Sequence, residues 1–221
     1  MFRNRTDAGI QLTQRLQEYK EMKGVLILAL PRGGVVTGFE VASSLKAPLD
    51  VLIVRKIGAP LQPELAVGAV SETGTIVLNQ NVISAYGISK DYIENEVLRQ
   101  KEEISRRAKL YRRGRGIADL KDKTIILVDD GVATGATMKA AIITLKREKI
   151  RKLVVALPVA PPDVAIEIKS MVDEFICIET PPYFMAVGNH YTDFSQVLDG
   201  EVVDILRKSI IEDNVEGEGG C

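Results

Sequence analysis

Two adjacent carboxylates, Asp129 and Asp130, stand at the end of the apolar run Thr124-Ile125-Ile126-Leu127-Val128 and precede Gly131-Val132-Ala133-Thr134-Gly135-Ala136-Thr137. The run reads as a strand buried on both faces, and the small residues after it as a turn that opens a helix. In open α/β sheets, ligands bind beyond the carboxyl ends of the strands. The first turn of a helix offers unpaired N–H groups and the positive end of the helix dipole, which suits a phosphate, and Thr134 and Thr137 add hydroxyl donors. Paired acids beside a phosphate are self-defeating unless they hold something else. A vicinal diol, which donates hydrogen bonds, or a divalent cation answers to them. The chemistry implied is recognition of a phosphorylated sugar, with carboxylates on its hydroxyls and loop amides on its phosphate.

Other chemistries are excluded by what is missing. There is no Gly-Lys-[Ser/Thr] phosphate loop, no Gly-x-Gly-x-x-Gly after the first strand and no Gly-x-Ser-x-Gly turn. The single histidine, His190, rules out histidine-cluster metal sites, and two cysteines, Cys177 and Cys221, cannot build a disulfide framework or a thiolate zinc site. The 221 residues carry 29 Lys+Arg against 30 Asp+Glu, a balance unlike that of a dedicated nucleic-acid binder. No window of 18 uncharged apolar residues predicts a membrane span. Met1 to Thr6 lacks the apolar run of a secretory signal, so a cytoplasmic protein is expected.

The elements that must position these residues alternate strand and helix. A helix is predicted from Thr6-Asp7, with Ala8, Leu12, Leu16 and Tyr19 on one stripe as far as Lys23-Gly24. Val25–Leu30 reads as a buried strand, Gly33-Gly34 as the start of a second helix, and Val51–Val54 as a second strand. Arg55 to Gly74 reads as a Pro- and Gly-rich loop with short strands, and Thr75–Asn79 as a strand. Ser89 caps a long polar helix whose stripe, Ile93, Val97, Ile104, Ala108 and Tyr111, is interrupted at Gln100-Lys101 and ends before Gly114 and Gly116. Strands at Leu153–Leu157 and Phe175–Ile178 flank a helix beginning near Pro161-Pro162-Asp163. This alternation predicts an α/β fold with a Rossmann-like parallel sheet flanked by helices. One domain over 1–211 is expected, followed by a mobile tail over 212–221.

Val128 to Thr137 resembles the phosphoribosyl-pyrophosphate signature of the type I phosphoribosyltransferases, and supporting motifs follow in family order along most of the chain. Arg32-Gly33-Gly34 resembles the family's short pyrophosphate-binding loop, and Arg55-Lys56-Ile57-Gly58-Ala59-Pro60 the start of its flexible loop. The resemblance implies the type I fold with a small hood subdomain. It implies that Asp129 and Asp130 hold the ribose hydroxyls, that Ala133, Thr134, Gly135, Ala136 and Thr137 hold the 5′-phosphate, with Gly131 and Val132 in the same phosphoribosyl-pyrophosphate loop, and that Mg2+ on the pyrophosphate is reached by Asp129 and Asp130. Pyrophosphate would be met by Arg32, Gly33, Gly34, Arg55 and Lys56. Displacement at the anomeric carbon passes through an oxocarbenium-like state, so positioning and electrostatics should dominate, with Arg32, Lys56 and Asp130 as the catalytic candidates.

Pro181 to Phe194 resembles more loosely the hood of the hypoxanthine-guanine enzymes; over a base-binding segment of about 179–200 it offers Phe184 to stack on a base, Val187 to line the pocket and Tyr191 for either task. Where those enzymes carry a base-contacting acid, this chain has Ala133, which brings the loop closer to the adenine type and leaves the base undetermined. The helix over about 89–113 is an insertion relative to small family members. Its basic end, Arg106, Arg107, Lys109, Arg112, Arg113 and Arg115, reads as a solvated helix end, a pyrophosphate or oligomer contact, or an RNA contact. The resemblance implies a homodimer or higher oligomer acting on phosphoribosyl pyrophosphate and a nucleobase. The second reading is a regulator that keeps the ligand loop in order to sense phosphoribosyl pyrophosphate or a nucleotide.

Overall fold

The computed structural model describes the backbone of residues 1–217 and the side chains of 1–62 and 65–209. Five parallel strands form the main sheet: β1 (Val25–Ala29), β2 (Leu49–Val51), β6 (Thr124–Val128), β7 (Lys152–Val159) and β8 (Glu174–Glu179), in the order β2-β1-β6-β7-β8. Every side chain of β1 and β6 is buried, as their unbroken apolar sequences require of strands covered on both faces. Alternation divides them. Ile126 and Val128 face α1 (Arg5–Gln14), α2 (Gly33–Leu45) and α7 (Asp199–Gly217), whose Leu12, Val41 and Val202 complete that core. Ile125 and Leu127 face α5 (Ala136–Leu145) and α6 (Pro162–Ser170), with Ile142 and Ile168.

A second sheet is antiparallel, β3 (Val54–Ala59), β4 (Gln62–Ser71) and β5 (Ile76–Leu78) in that order, backed by α3 (Gln80–Ala85) and α4 (Lys90–Arg112). Ile57, Ala59 and Val67 pack on Ile88, Ile93 and Val97 in a core of their own. The segment 55–74, expected as a loop with short strands, is mostly a hairpin, bulged between Ile57 and Ala59. Its alternation of apolar and small residues outweighs Gly58 and Pro60, which stand at the bulge and the turn.

Other boundaries shift for identifiable reasons. Asn4, not Thr6, caps α1 by accepting from the Asp7 N–H at 2.9 Å. The helix stops at Gln14, and Leu16 and Tyr19 stay buried through a 3-10 turn over Gln17–Tyr19. The expected strand Val51–Val54 is divided because the chain leaves the sheet after Val51: Glu72 accepts the Ile53 N–H at 2.7 Å and Arg112 takes the Val51 carbonyl. Helix α7, with Val202 and Leu206 buried, and the short α3 are additions that the sequence pattern does not announce. Of the expected tail, 212–217 is helical backbone of α7, and 218–221 lies outside the described residues. The segment between β8 and α7 is a loop with one 3-10 turn, Val187–His190, while the small second layer is the three-stranded sheet. Among the described residues, no helix is long and apolar enough to cross a membrane.

Candidate functional site

The order β2-β1-β6 fixes where a ligand can enter. The chain leaves β1 through α2 toward β2, on one side, while β6 lies on the other, so the carboxyl ends of β1 and β6 form the switch point of the sheet. Ala29 and Val128 are in register, and the Leu30 N–H donates to the Val128 carbonyl at 2.9 Å, so the two following loops start level. One loop carries Arg32-Gly33-Gly34 and the other Asp129 to Thr137. Motif resemblance assigns them to pyrophosphate and to sugar phosphate; the sheet brings them side by side.

Their contact is close enough to demand glycine. A Cβ on Gly33 would fall 1.9 Å from Asp130 Oδ2, and one on Gly34 would fall 2.8 Å from Asp129 Oδ1 and 2.9 Å from Asp129 Cα. The Pro31–Arg32 peptide is cis, and Arg32 occupies the N-cap of α2. On the other loop, Asp129 accepts the Asp130 N–H at 2.8 Å, and the Val132 N–H ties the turn to Val159 O at 3.1 Å with the Val132 side chain buried. Val132, expected among the ligand-binding residues, therefore has both its N–H and its side chain committed to the fold. Ala133 and Thr134 are exposed, and Gly135 takes a left-handed φ of +70° at the N-cap of α5, whose start no side chain of the N-cap covers. The arrangement is an open helix N-terminus of the kind that receives a phosphate.

Burial is the largest influence on the acid pair. Together with the neighbouring Asp130 charge it pushes the Asp129 carboxyl well above the usual carboxylate range. Burial also raises Asp130, opposed by the Arg5 guanidinium. Arg5 is the residue that sequence reading missed. Its Nε donates to Asp130 Oδ2 at 2.6 Å, its Nη1 donates to Ser195 O at 2.7 Å, and its guanidinium lies 3.8 Å from the Phe194 ring centroid. It thereby joins the acid pair to the base-end segment. No sequence signal could have found it, because 125 residues separate the partners.

The base-end residues are placed unequally. Val187 lies against the sugar loop, where its Cγ1 would be 2.6 Å from a Cβ on Gly131. Phe184 stacks on His190, with centroids 5.2 Å apart and planes at 18°. Tyr191 is buried between Phe2 and Phe194, and its hydroxyl donates to Asp130 O at 2.5 Å. Its ring is already covered, so its observed role is to support the acid loop from beneath rather than to receive a base.

The two hairpin cations diverge. Arg55 shares a face with Ile57, toward α4, and its Nε donates to Gln100 Oε1 at 2.8 Å. Alternation sets Lys56 on the face of Val54, which belongs to the core that includes Met138 and Ala140 of α5. The basic end of α4 is largely committed to ion pairs: Arg106 to Glu103 and Asp199, Arg107 to Glu103, and the buried Arg112 to Asp50 at 2.8 Å and Glu72 at 2.5 Å. Arg112 is therefore unavailable to RNA, which corrects the solvated reading at that position. Among the described residues, no group of three or more His, Cys, Asp or Glu side chains converges as a ready-made metal cage.

A parallel sheet with an acid pair and a phosphate-type turn at its switch point, and a glycine loop packed against the acids, defines the type I phosphoribosyltransferase fold. The phosphoribosyl transferase domain family matches residues 3–190, and the chain belongs to that family. It is similar to two Mycobacterium tuberculosis proteins, from strains H37Rv and CDC 1551, that bear provisional phosphoribosyl transferase names: each is 45% identical over 209 residues, covering 95% of this chain and 47% of the relative. The chain thus spans about half the length of those relatives. It is also similar to the crystal structure of TT1426 from Thermus thermophilus, with TM-score 0.81, 42% identity, and coverage of 94% of this chain and 98% of that one.

Proposed function

We propose that the protein transfers the phosphoribosyl group of phosphoribosyl pyrophosphate to a nitrogenous base, purine or pyrimidine, and releases pyrophosphate. The observation that carries this reading is the packing of Gly33 and Gly34 against Asp130 and Asp129, which joins a leaving-group loop to a sugar-phosphate loop at one switch point. Asp129 and Asp130 accept from the ribose hydroxyls, and the amides of 133–137 with Thr134 and Thr137 hold the 5′-phosphate. As the bond from the anomeric carbon to the pyrophosphate oxygen breaks, a base nitrogen bonds to that carbon and gives up its proton to the departing pyrophosphate or to water. The departing pyrophosphate gains charge, which Arg32 and Lys56 offset from two sides, while Asp130 steadies the positively charged ribose. Val187 and Phe184 line the base end.

Mg2+ keeps several waters and is bound by one or two carboxylates together with substrate phosphates, a donor set that Asp129 and Asp130 fit with phosphoribosyl pyrophosphate in place. When bound, it supplies neutralisation of the leaving group. A homodimer or higher oligomer in the cytoplasm is part of this reading.

The second reading, a sensor of phosphoribosyl pyrophosphate or a nucleotide, draws on the hairpin. Arg55 and Lys56 stand on a sheet backed by α4, not on a loop free to close over a substrate. Pyrophosphate release with Mg2+, phosphoribosyl pyrophosphate and a panel of bases separates the two. Product from a base class supports the transferase; tight binding with no product from any base supports the sensor; no binding of phosphoribosyl pyrophosphate overturns both.

A further inference from the structure

The apolar stripe of α4 has a polar break, and the break falls where two cores meet. Ile93 and Val97 pack with Ile57 and Ala59 of the hairpin, whereas Ile104 and Tyr111 reach the core of the main sheet. Between them Glu96 and Gln100 are buried, at 9% and 5% exposure. A buried amide or carboxylate costs stability unless its hydrogen bonds are made, and a leucine at position 100 would continue the stripe without that cost. One chain of bonds accounts for both residues. Arg55 Nε donates to Gln100 Oε1 at 2.8 Å, Gln100 Nε2 donates to Glu96 Oε1 at 2.6 Å, and Arg99 holds the same carboxylate at 2.7 and 2.9 Å.

Arg55 needs such a hold. Burial works against its cation, and so does the like charge of Arg107, two turns beyond Gln100 on α4. Its location also matters. Arg55 follows the carboxyl end of β2, where the Leu52 N–H donates to Ala29 O, and Ala29 ends the strand that leads into Arg32.

We propose that Gln100 is a positioning residue: anchored by Glu96, it fixes the Arg55 guanidinium through Nε and turns Nη1 and Nη2 toward the pyrophosphate end of the ligand. A planar fork held in place recognises paired anionic oxygens at a smaller entropic cost than a free side chain. Helix α4 then carries Arg55 as one unit with the hairpin, to which Tyr92 also binds through Gly58 O at 3.0 Å. The inference rests on the phosphoribosyltransferase reading above.

Calorimetric titration of Mg-pyrophosphate and of Mg-phosphoribosyl pyrophosphate onto the full chain tests it, using wild type, Gln100→Met, Arg55→Met and the double variant. Gln100→Met preserves bulk and helix propensity while removing both bonds. Binding of both ligands should weaken about tenfold in Gln100→Met, and the double variant should bind no more weakly than Arg55→Met alone. Should Gln100→Met fail to fold in a thermal melt, Glu96→Gln, which loosens Gln100 without removing it, should give about a threefold loss. Unchanged binding in the variant that folds, or an equal further loss in the Arg55→Met background, overturns the positioning role. Wild-type protein that binds neither ligand overturns the phosphoribosyltransferase reading, and with it the ligand assigned to Arg55.

Discussion

Arg5 Nε lies 2.6 Å from Asp130 Oδ2, with the two side chains only 11% and 13% exposed. The first helix of the chain therefore places a cation on an acid that the sixth strand delivers. Among the described residues Asp129 has no such ion pair: Arg5 acts on it only as a secondary charge, after burial and Asp130, which raise its pKa. The acid pair is thus asymmetric, with only Asp130 paired to a cation from the protein side. The same guanidinium lies over Phe194 and donates to Ser195 O, so it ties the segment before α7 to the acid pair.

Arg5→Met should weaken binding of phosphoribosyl pyrophosphate and shift its pH dependence upward. A nearby cation favours the ionised carboxylate; removing it raises the Asp130 pKa further, so the carboxylates needed by the ribose hydroxyls form only at higher pH. The loss of a charge-assisted, largely buried bond should also lower stability by about 2 kcal/mol. Calorimetric titration across pH 5–9 checks the direction; a pH profile identical to wild type would show that Arg5 does not govern the pair.

Asp129→Asn should raise the melting temperature while abolishing ligand binding. The folded-state pKa of Asp129 lies above its unfolded value, so the folded protein binds the proton more tightly, and stability falls as pH rises from the unfolded pKa through the folded one. At neutral pH the raised pKa therefore counts against stability. The amide removes that cost and keeps Oδ1 as acceptor for the Asp130 N–H. A gain of about 1–2 kcal/mol, or roughly 2–8 °C, is expected by scanning calorimetry at pH 7, shrinking toward pH 4. A lower melting temperature at pH 7 would contradict the assignment.

What the sequence shows and hides follows from distance along the chain. The β6 strand, the acid pair and the turn into α5 are contiguous, so their arrangement is readable directly from Thr124 to Thr137. The Gly33-Gly34 loop is legible as a motif, but its contact with Asp129 and Asp130 depends on β1 and β6 being neighbours, which no local pattern specifies. Arg5 looks like an ordinary residue at a helix start. The extent of the hairpin is hidden because Gly58, Pro60 and Pro63 punctuate it like a loop, and its apolar face is covered by Ile93 and Val97 from far along the chain. Tyr191 is identifiable as an aromatic at the base end, but the Phe2 ring that covers it comes from the other end of the chain.

Gly33→Ala tests the close approach of the two loops. Gly33 has no left-handed backbone to protect, so the effect is steric: the new methyl would stand 1.9 Å from Asp130 Oδ2 and 2.7 Å from Arg5 Nε. Either the carboxylate or the loop must move. Affinity for phosphoribosyl pyrophosphate should fall at least tenfold, with a stability cost of about 1–3 kcal/mol. Retained affinity, measured calorimetrically, would mean that the two loops do not meet around one ligand.

Arg112→Met should be the most destabilising of these changes, although position 112 belongs to a basic run that reads as solvent-facing. The guanidinium is 5% exposed and joins Asp50 and Glu72, and it also takes the Val51 carbonyl where the chain leaves the main sheet for the hairpin. Removing it strands two largely buried carboxylates. Asp50 keeps its bonds from the Val51 and Ala118 N–H groups and Glu72 its bond from Ile53 N–H, but none of these supplies a positive charge. Breaking a buried pair in this way costs about 3–5 kcal/mol. Chemical denaturation should show that loss. Neutralising the exposed Arg113 in the same run should change stability by less than about 0.5 kcal/mol, because it has left-handed backbone but no buried partner among the described residues. Equal effects from the two variants would return Arg112 to the solvated surface and would undo the node that anchors the hairpin to the sheet.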